Sequence, residues 1–196
     1  MSILKTNISA RRLALLARQR EVVFHIHDLA TIWGISNAHS LRVMLKRYID
    51  SGILYRVYRG CYSLIPPEEI DAVFLGAKLL HQYCYLSMES ILFLEGYRSQ
   101  PSTYVTFISG ESKKFHILDH HFLSRQLSAQ YLYNPLGIVL KDSVYRASSE
   151  RAIADMLYYH PRAVFDRPID WKKIRTLQSA LGYPLTPHQY DTSTSL

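Results

Sequence analysis

Residues 28–65 read DLATIWGISNAHSLRVMLKRYIDSGILYRVYRGCYSLI, and this stretch decides how the N-terminal third folds. Residues 28–33 predict a short helix that stops at Gly34, because glycine readily takes the left-handed conformation a helix end often needs. Ile35 bridges to Ser36 and Asn37, both good N-cap residues, since a short polar side chain can accept from the free backbone N–H groups of a first turn. The next helix is predicted over about residues 37–50, closed by Ser51-Gly52. On it Ala38, Leu41, Leu45 and Tyr48 recur every three or four residues, flanked by Met44 and Ile49, and form the apolar stripe expected to face a core. The opposite face carries His39, Arg42 and Lys46, with Ser40, Val43 and Arg47 near its edge. Residues 53–58 and 61–65, joined at Arg59-Gly60, read as a β-hairpin that ends at Pro66-Pro67.

Upstream, residues 9–20 predict a helix with Leu13, Leu16 and Ala17 as its apolar stripe and Arg11, Arg12, Arg18 and Arg20 outward. Val22-Val23-Phe24 is a short β-type run. Helix, tight glycine-containing turn, helix and hairpin in this order give the spacing of a winged helix-turn-helix. The helix over residues 37–50 is then a recognition helix whose Arg and Lys side chains can reach base edges and phosphates in a major groove, an Arg contacting guanine through two hydrogen bonds. Arg56 and Arg59 place charge on the wing, against sugar-phosphate backbone or the minor groove. Candidate DNA-contacting residues are therefore Ser36, Asn37, His39, Ser40, Arg42, Lys46, Arg47, Arg56 and Arg59, with Arg11 and Arg12 of the first helix. A plain solvated helix face, and a winged helix used for protein contacts, are the competing readings.

Charge points the same way. The net charge is +7 and the pI about 9.4. Residues 1–67 hold ten Lys/Arg and three acids, so that stretch alone carries +7, while the rest holds thirteen of each sign. A basic head on a neutral body suggests a polyanion-binding module beside a second domain with another task.

The chain of 196 residues is 48% hydrophobic and 20% charged, with a mean hydropathy of −0.07. That suits one large domain or two small ones. No apolar run approaches the ~20 residues of a spanning helix, which excludes that class of membrane protein. The N-terminal MSILKTNISARR lacks the basic stretch, apolar core and small-residue site of a secretion signal. Two cysteines, Cys61 and Cys84, are too few for a disulfide framework, so a reduced, cytoplasmic setting is expected.

Pro66-Pro67-Glu68-Glu69 marks a strand end and a domain boundary, dividing the chain into residues 1–67, 68–182 and a loosely held tail over 183–196. The second part reads as a small α+β domain, giving an α+β chain overall. Helices are predicted over residues 70–81 and over 88–95, the latter capped by Ser87 and ended by Gly96. Residues 103–108 and 113–118 read as a hairpin turning at Ser109-Gly110-Glu111-Ser112. Two short strands are expected over 137–140 and 143–146. A helix capped by Ser148 or Ser149 runs to about residue 159, and a last helix covers about residues 170–181, stopping at Gly182.

No catalytic constellation stands out. His116, Asp119, His120 and His121 lie close together, as do His25 and His27, but neither group has a recognised zinc spacing, and Cys61 and Cys84 stand apart. Asp166, Asp170 and Lys172 resemble the acidic-plus-lysine set of metal-dependent nucleases only faintly, and Asp170 is more simply an N-cap. There is no GxxxxGK[ST], GxGxxG or GxSxG. No enzyme activity, metal or cofactor is expected. The fifteen tyrosines read as core packing or as a tyrosine-rich protein-binding surface.

Three stretches resemble the AbiEi-type antitoxins, the transcriptional regulators of type IV toxin–antitoxin (abortive phage infection) systems. One is the close of the winged helix, residues 52–62 (GILYRVYRGCY). Another is Tyr85-Leu86-Ser87-Met88-Glu89-Ser90-Ile91-Leu92 followed by Gly96 and Tyr104-Val105-Thr106, similar to the family's opening of its antitoxin domain. The last is Ala147-Ser148-Ser149-Glu150-Arg151-Ala152-Ile153-Ala154-Asp155-Met156-Leu157, similar to the family's Ala-Ser-Pro-Glu-Arg/Lys-Ala-x-x-Asp segment, with Ser149 where the family often has proline. The resemblance implies a cytoplasmic antitoxin that represses its own operon by binding inverted repeats in double-stranded DNA. It further implies a functional partner, a nucleotidyltransferase toxin countered without a stable complex, and is compatible with a homodimer. The alternative is a winged-helix regulator whose C-terminal domain senses a ligand or dimerises, with no toxin.

Overall fold

A computed structural model describes residues 2–186. The chain is α+β and divides into two compact units, one ending at Asp71 and the other beginning at Ala72. None of the helices among the described residues is long and apolar enough to cross a membrane.

The N-terminal unit runs α1 (Ser2–Arg18), β1 (Val23–His25), α2 (Ile26–Trp33), α3 (Ala38–Asp50), β2 (Tyr55–Tyr58) and β3 (Cys61–Ser63), then a 3-10 turn at Pro67–Glu69. The strands form an antiparallel sheet in the order β1-β3-β2. Its core gathers Leu16, Phe24, Leu29, Trp33, Leu41, Leu45, Tyr48, Leu54 and Tyr62. Burying each of the leucines is worth about 1.5–3 kcal/mol, which makes this cluster what joins the three helices. The Trp33 indole N–H donates to the Arg12 carbonyl at 3.1 Å, and its ring meets Tyr48 edge-on at 5.8 Å.

Three local expectations are corrected here. The first helix begins well before residue 9 and ends at Arg18, because Arg20 takes a left-handed φ of +55°. Its inner face is Leu15 and Leu16, whereas Ala17 is exposed. Ala38 is exposed too: it is the first residue of α3, ahead of the turn that reaches the core. The helix before it starts at Ile26 rather than Asp28, since the Asp28 carboxylate reaches back to accept from the His25 N–H at 2.9 Å and sits inside the first turn.

The second unit contains α4 (Ala72–Leu80), β4 (Cys84–Leu86), α5 (Glu89–Leu94), β5 (Tyr104–Ser109), β6 (Lys113–Ile117), β7 (His120–Gln126), α6 (Ala129–Leu132), β8 (Ile138–Lys141), β9 (Val144–Ala147), α7 (Ser149–Tyr159) and α8 (Trp171–Leu181). One mixed six-stranded sheet has the order β6-β7-β5-β4-β9-β8. The expected hairpin between residues 103–108 and 113–118 does not form. Instead β7, a strand the sequence reading missed, lies between them, parallel to β5 and antiparallel to β6. Tertiary packing selects this pairing. Phe122 and Ser124 of β7 are buried, and the Ser124 hydroxyl meets Ser109 Oγ at 2.7 Å and donates to the Glu111 carbonyl at 3.0 Å, docking β7 onto the would-be turn.

Two further boundaries differ. Met88, at φ +52°, caps α5 instead of Ser87, whose side chain is drawn into the interior. Residues 183–186 are not a loose tail: Tyr183 and Thr186 are buried, and the Thr186 N–H donates to Gln178 Oε1 at 3.2 Å. Residues 187–196 lie outside the described residues.

Candidate nucleic-acid interface

The spacing of Leu41, Leu45 and Tyr48 turns one side of α3 into the core. Residues 39, 42, 43 and 46 then project from the other side, because successive side chains advance by about 100° around a helix. His39, Ser40, Arg42, Val43, Lys46 and Arg47 are all exposed. The helix has 13 residues and spans about 20 Å. Its start is fixed by Asn37, whose Oδ1 accepts from the Ser40 N–H at 2.8 Å. Asn37 and Ser36 are exposed at this end, but the Asn37 side-chain oxygen is occupied by the cap. The turn into α3 is set by Gly34 at φ +63°, where any Cβ-bearing residue would be strained.

Arg56 lies on β2 and Arg59 in the turn to β3, both exposed. That turn is anchored by the Gly60 carbonyl, which accepts from the Ile26 N–H at 2.8 Å and ties the hairpin to the start of α2. Of the two arginines assigned to α1, Arg11 is exposed. Arg12 is not simply outward: it is half-buried, with Nη1 2.8 Å from Met44 Sδ, and so links α1 to α3. Among the described residues no ion pair engages Arg11, Arg42, Lys46, Arg47, Arg56 or Arg59. Their charge faces solvent uncompensated at short range. Because the unit extends to Asp71, it also includes Glu68, Glu69 and Asp71. Its ten basic side chains stand against six acids, and its net charge is +4 rather than the +7 counted to residue 67.

The most elaborate polar assembly lies elsewhere, in the second unit, and sequence reading did not find it. Arg151 and Asp155, one turn apart on α7, are both fully buried and paired at 2.9 Å. The guanidinium also donates to the carbonyls of Asn134 and Leu136, each at 3.1 Å, and to the Tyr85 hydroxyl at 2.7 Å. The carboxylate accepts from Ser87 Oγ at 2.7 Å and the Tyr183 hydroxyl at 2.8 Å. Burial raises the Asp155 carboxyl above its ordinary range, against the opposing pull of Arg151, Ser87 and Tyr183. Burial likewise raises the Tyr85 and Tyr183 hydroxyls. Gly137, at φ +71°, admits this arginine, since a Cβ there would stand 2.8 Å from Arg151 Cβ. The charge spacing of Arg151 and Asp155 was the available signal. Every polar end found a partner, so the assembly organises the fold rather than presenting a reactive group.

The remaining candidate chemistry disperses. No group of three or more His, Cys, Asp or Glu able to hold a metal exists among the described residues. His116 and His121 face each other across β6 and β7 with rings 6.1 Å apart. Cys61 and Cys84 are both buried and neither forms a disulfide, and burial pushes the Cys84 thiol up to about 12. Asp166 accepts from the Ser99 backbone N–H and hydroxyl, which hold its carboxyl below the ordinary value. Asp170 caps α8 by accepting from the Lys173 N–H at 3.1 Å. A cavity of about 310 Å³ is lined by Ser90, Tyr104, His120 and His121 among others.

No protein-family model and no curated protein sequence matches the chain. Its fold is similar to the crystal structure of the RV2827C protein from Mycobacterium tuberculosis, with a TM-score of 0.53 at 14% identity, over 91% of this chain and 72% of that one. At that identity the likeness is one of fold.

Proposed function

We propose that the N-terminal unit is a winged helix-turn-helix that binds double-stranded DNA, with α3 in the major groove and the β2–β3 hairpin against the backbone. The chain is then a transcriptional repressor, the antitoxin of a type IV toxin–antitoxin system, acting on inverted repeats at its own promoter and countering a nucleotidyltransferase toxin. The observation that carries the DNA-binding reading is the exposed row His39, Arg42, Lys46 and Arg47 on a capped helix, unpaired with any acid among the described residues, beside a hairpin bearing Arg56 and Arg59. The antitoxin reading rests on the resemblance of three stretches to that family. It gains support from the meeting of two of them in space, Tyr85 and Ser87 bonding directly to Arg151 and Asp155.

The test is binding to the DNA upstream of the protein's own gene, compared with a scrambled duplex across a salt series. Preference for the upstream fragment, with affinity falling steeply as salt rises, is the expected result. Equal binding to both duplexes, or none at low salt, overturns the repressor reading. For the antitoxin reading, co-expression with a neighbouring nucleotidyltransferase should restore growth, and unrelieved toxicity overturns it. A second reading, a regulator whose second unit senses a small ligand, is favoured by the cavity at Ser90, Tyr104, His120 and His121, whose volume lies at the lower end for such sites.

A further inference from the structure

Leu41, Leu45 and Tyr48 are the buried side chains of α3 and define its inward direction. Each residue advances about 100° around the helix, so residue 43 projects nearly opposite their mean direction. The side chain there is Val43, which is 40% exposed. Among the described residues of α3 no other large hydrophobic side chain is exposed. Its neighbours one turn before and after are His39, Ser40, Lys46 and Arg47, all exposed and all hydrogen-bond donors. The same face ends at Asp50, an exposed acid. The part of α3 able to lie against a polyanion is therefore the stretch from His39 to Arg47, and Val43 is its midpoint.

Neither of the usual reasons for a valine on a helix applies at this position. The core of the unit is built from the opposite face of α3, and Val43 is not among the side chains packed on it. A β-branched residue is also a poorer helix former than alanine, because the preceding turn restricts its side chain. What Val43 adds is an apolar surface at the centre of the face, bounded by donors. The major-groove edge of a T·A pair has the matching pattern. Thymine presents its C5-methyl group beside the O4 acceptor, and neighbouring purines present N7, with O6 as well on guanine. Cytosine lacks that methyl group and presents an amino donor instead, which gives Val43 less to bury and opposes the donors of Lys46 and Arg47.

We infer, taking α3 to lie in the major groove as proposed above, that Val43 covers the 5-methyl group of a thymine. A T·A pair is then the apolar centre of the sequence this helix reads. His39, Lys46 and Arg47 serve acceptors on the flanking pairs and the phosphates around it.

Replacing thymine by deoxyuridine, one position at a time in the upstream duplex, tests this. The exchange deletes a methyl group and leaves every hydrogen-bonding group of the base pair in place. Affinity is read by fluorescence anisotropy for the full wild-type chain and for Val43→Ala. In the wild type one thymine of each recognised repeat should stand out, its replacement weakening binding about fourfold, the factor expected for one buried methyl group. Val43→Ala should bind the unmodified duplex roughly four- to tenfold more weakly, and should no longer distinguish uracil from thymine at that position. Val43→Ile keeps the apolar contact and should keep the discrimination. Thermal melting of Val43→Ala should match the wild type, because the side chain is exposed. If no thymine methyl matters, or if the uracil penalty is equal in wild type and Val43→Ala, the assignment of Val43 is overturned while duplex recognition by α3 stands. Failure of the wild type to prefer the upstream duplex over a scrambled one overturns the repressor reading itself, and the role of Val43 with it.

Discussion

Arg42 on α3 and Arg151 on α7 are the same side chain in opposite circumstances. Arg42 stands in solvent with no acid paired to it among the described residues. Arg151 is fully buried, and its donors end on Asp155, Tyr85 and the carbonyls of Asn134 and Leu136. A buried guanidinium without partners would be intolerable, so the fold around it is over-determined. An exposed one constrains nothing and remains able to meet an external anion. Charge that the fold consumes reports on architecture, while charge it leaves free reports on partners.

Removing each arginine should separate those roles. The largest effect is expected from Arg151→Ala, which strands Asp155 in the interior and should cost about 3–5 kcal/mol in urea unfolding of the second unit. Near-wild-type stability would mean that the network is not the keystone drawn here. Alkaline pH attacks the same region. Cys84 ionises at an ordinary value of 9.0 in the unfolded chain but near 12 when folded. Its contribution is complete below pH 9 and is lost as pH rises towards 12, by about 1.4 kcal/mol per pH unit. The raised Tyr85 and Tyr183 hydroxyls act with the same sign. Urea midpoints that hold constant from pH 8.5 to 10.5 would contradict this.

On α3 the expected pattern inverts. Arg42→Ala or Lys46→Ala should lower DNA affinity, by about 1–3 kcal/mol where a base contact is lost, while stability stays within about 0.5 kcal/mol. Unchanged affinity in both variants would remove this face from the interface. Asn37→Ala sits between the two behaviours: losing the cap should cost about 1 kcal/mol of stability, and binding should fall through fraying of the α3 start. A binding defect with no change in melting would show instead that Asn37 touches DNA directly.

How much was legible in advance follows from the range of the forces involved. Gly34, Asn37, Ser148, Asp170 and Gly182 were all readable as helix punctuation, because a cap or a left-handed turn is settled within a few residues. The exposed face of α3 followed from its periodicity for the same reason. Ser87 looked like another cap and was not, because a carboxylate 68 residues away claimed its hydroxyl. Arg12 looked outward and instead reached Met44, 32 residues on.

By itself, then, the sequence determined where the longer helices lie, the caps at Gly34, Asn37, Ser148, Asp170 and Gly182, the β2–β3 hairpin and the cationic row on α3, all features governed by neighbours along the chain. The tertiary structure alone decided that β7 would separate β5 from β6, that β4 and β9 would lie parallel, and that Tyr85, Ser87, Arg151, Asp155 and Tyr183 would converge. Strand partners and buried polar groups are chosen by which distant surfaces exclude water together and which donors would otherwise go unpaired. Those conditions exist only once the chain has closed on itself.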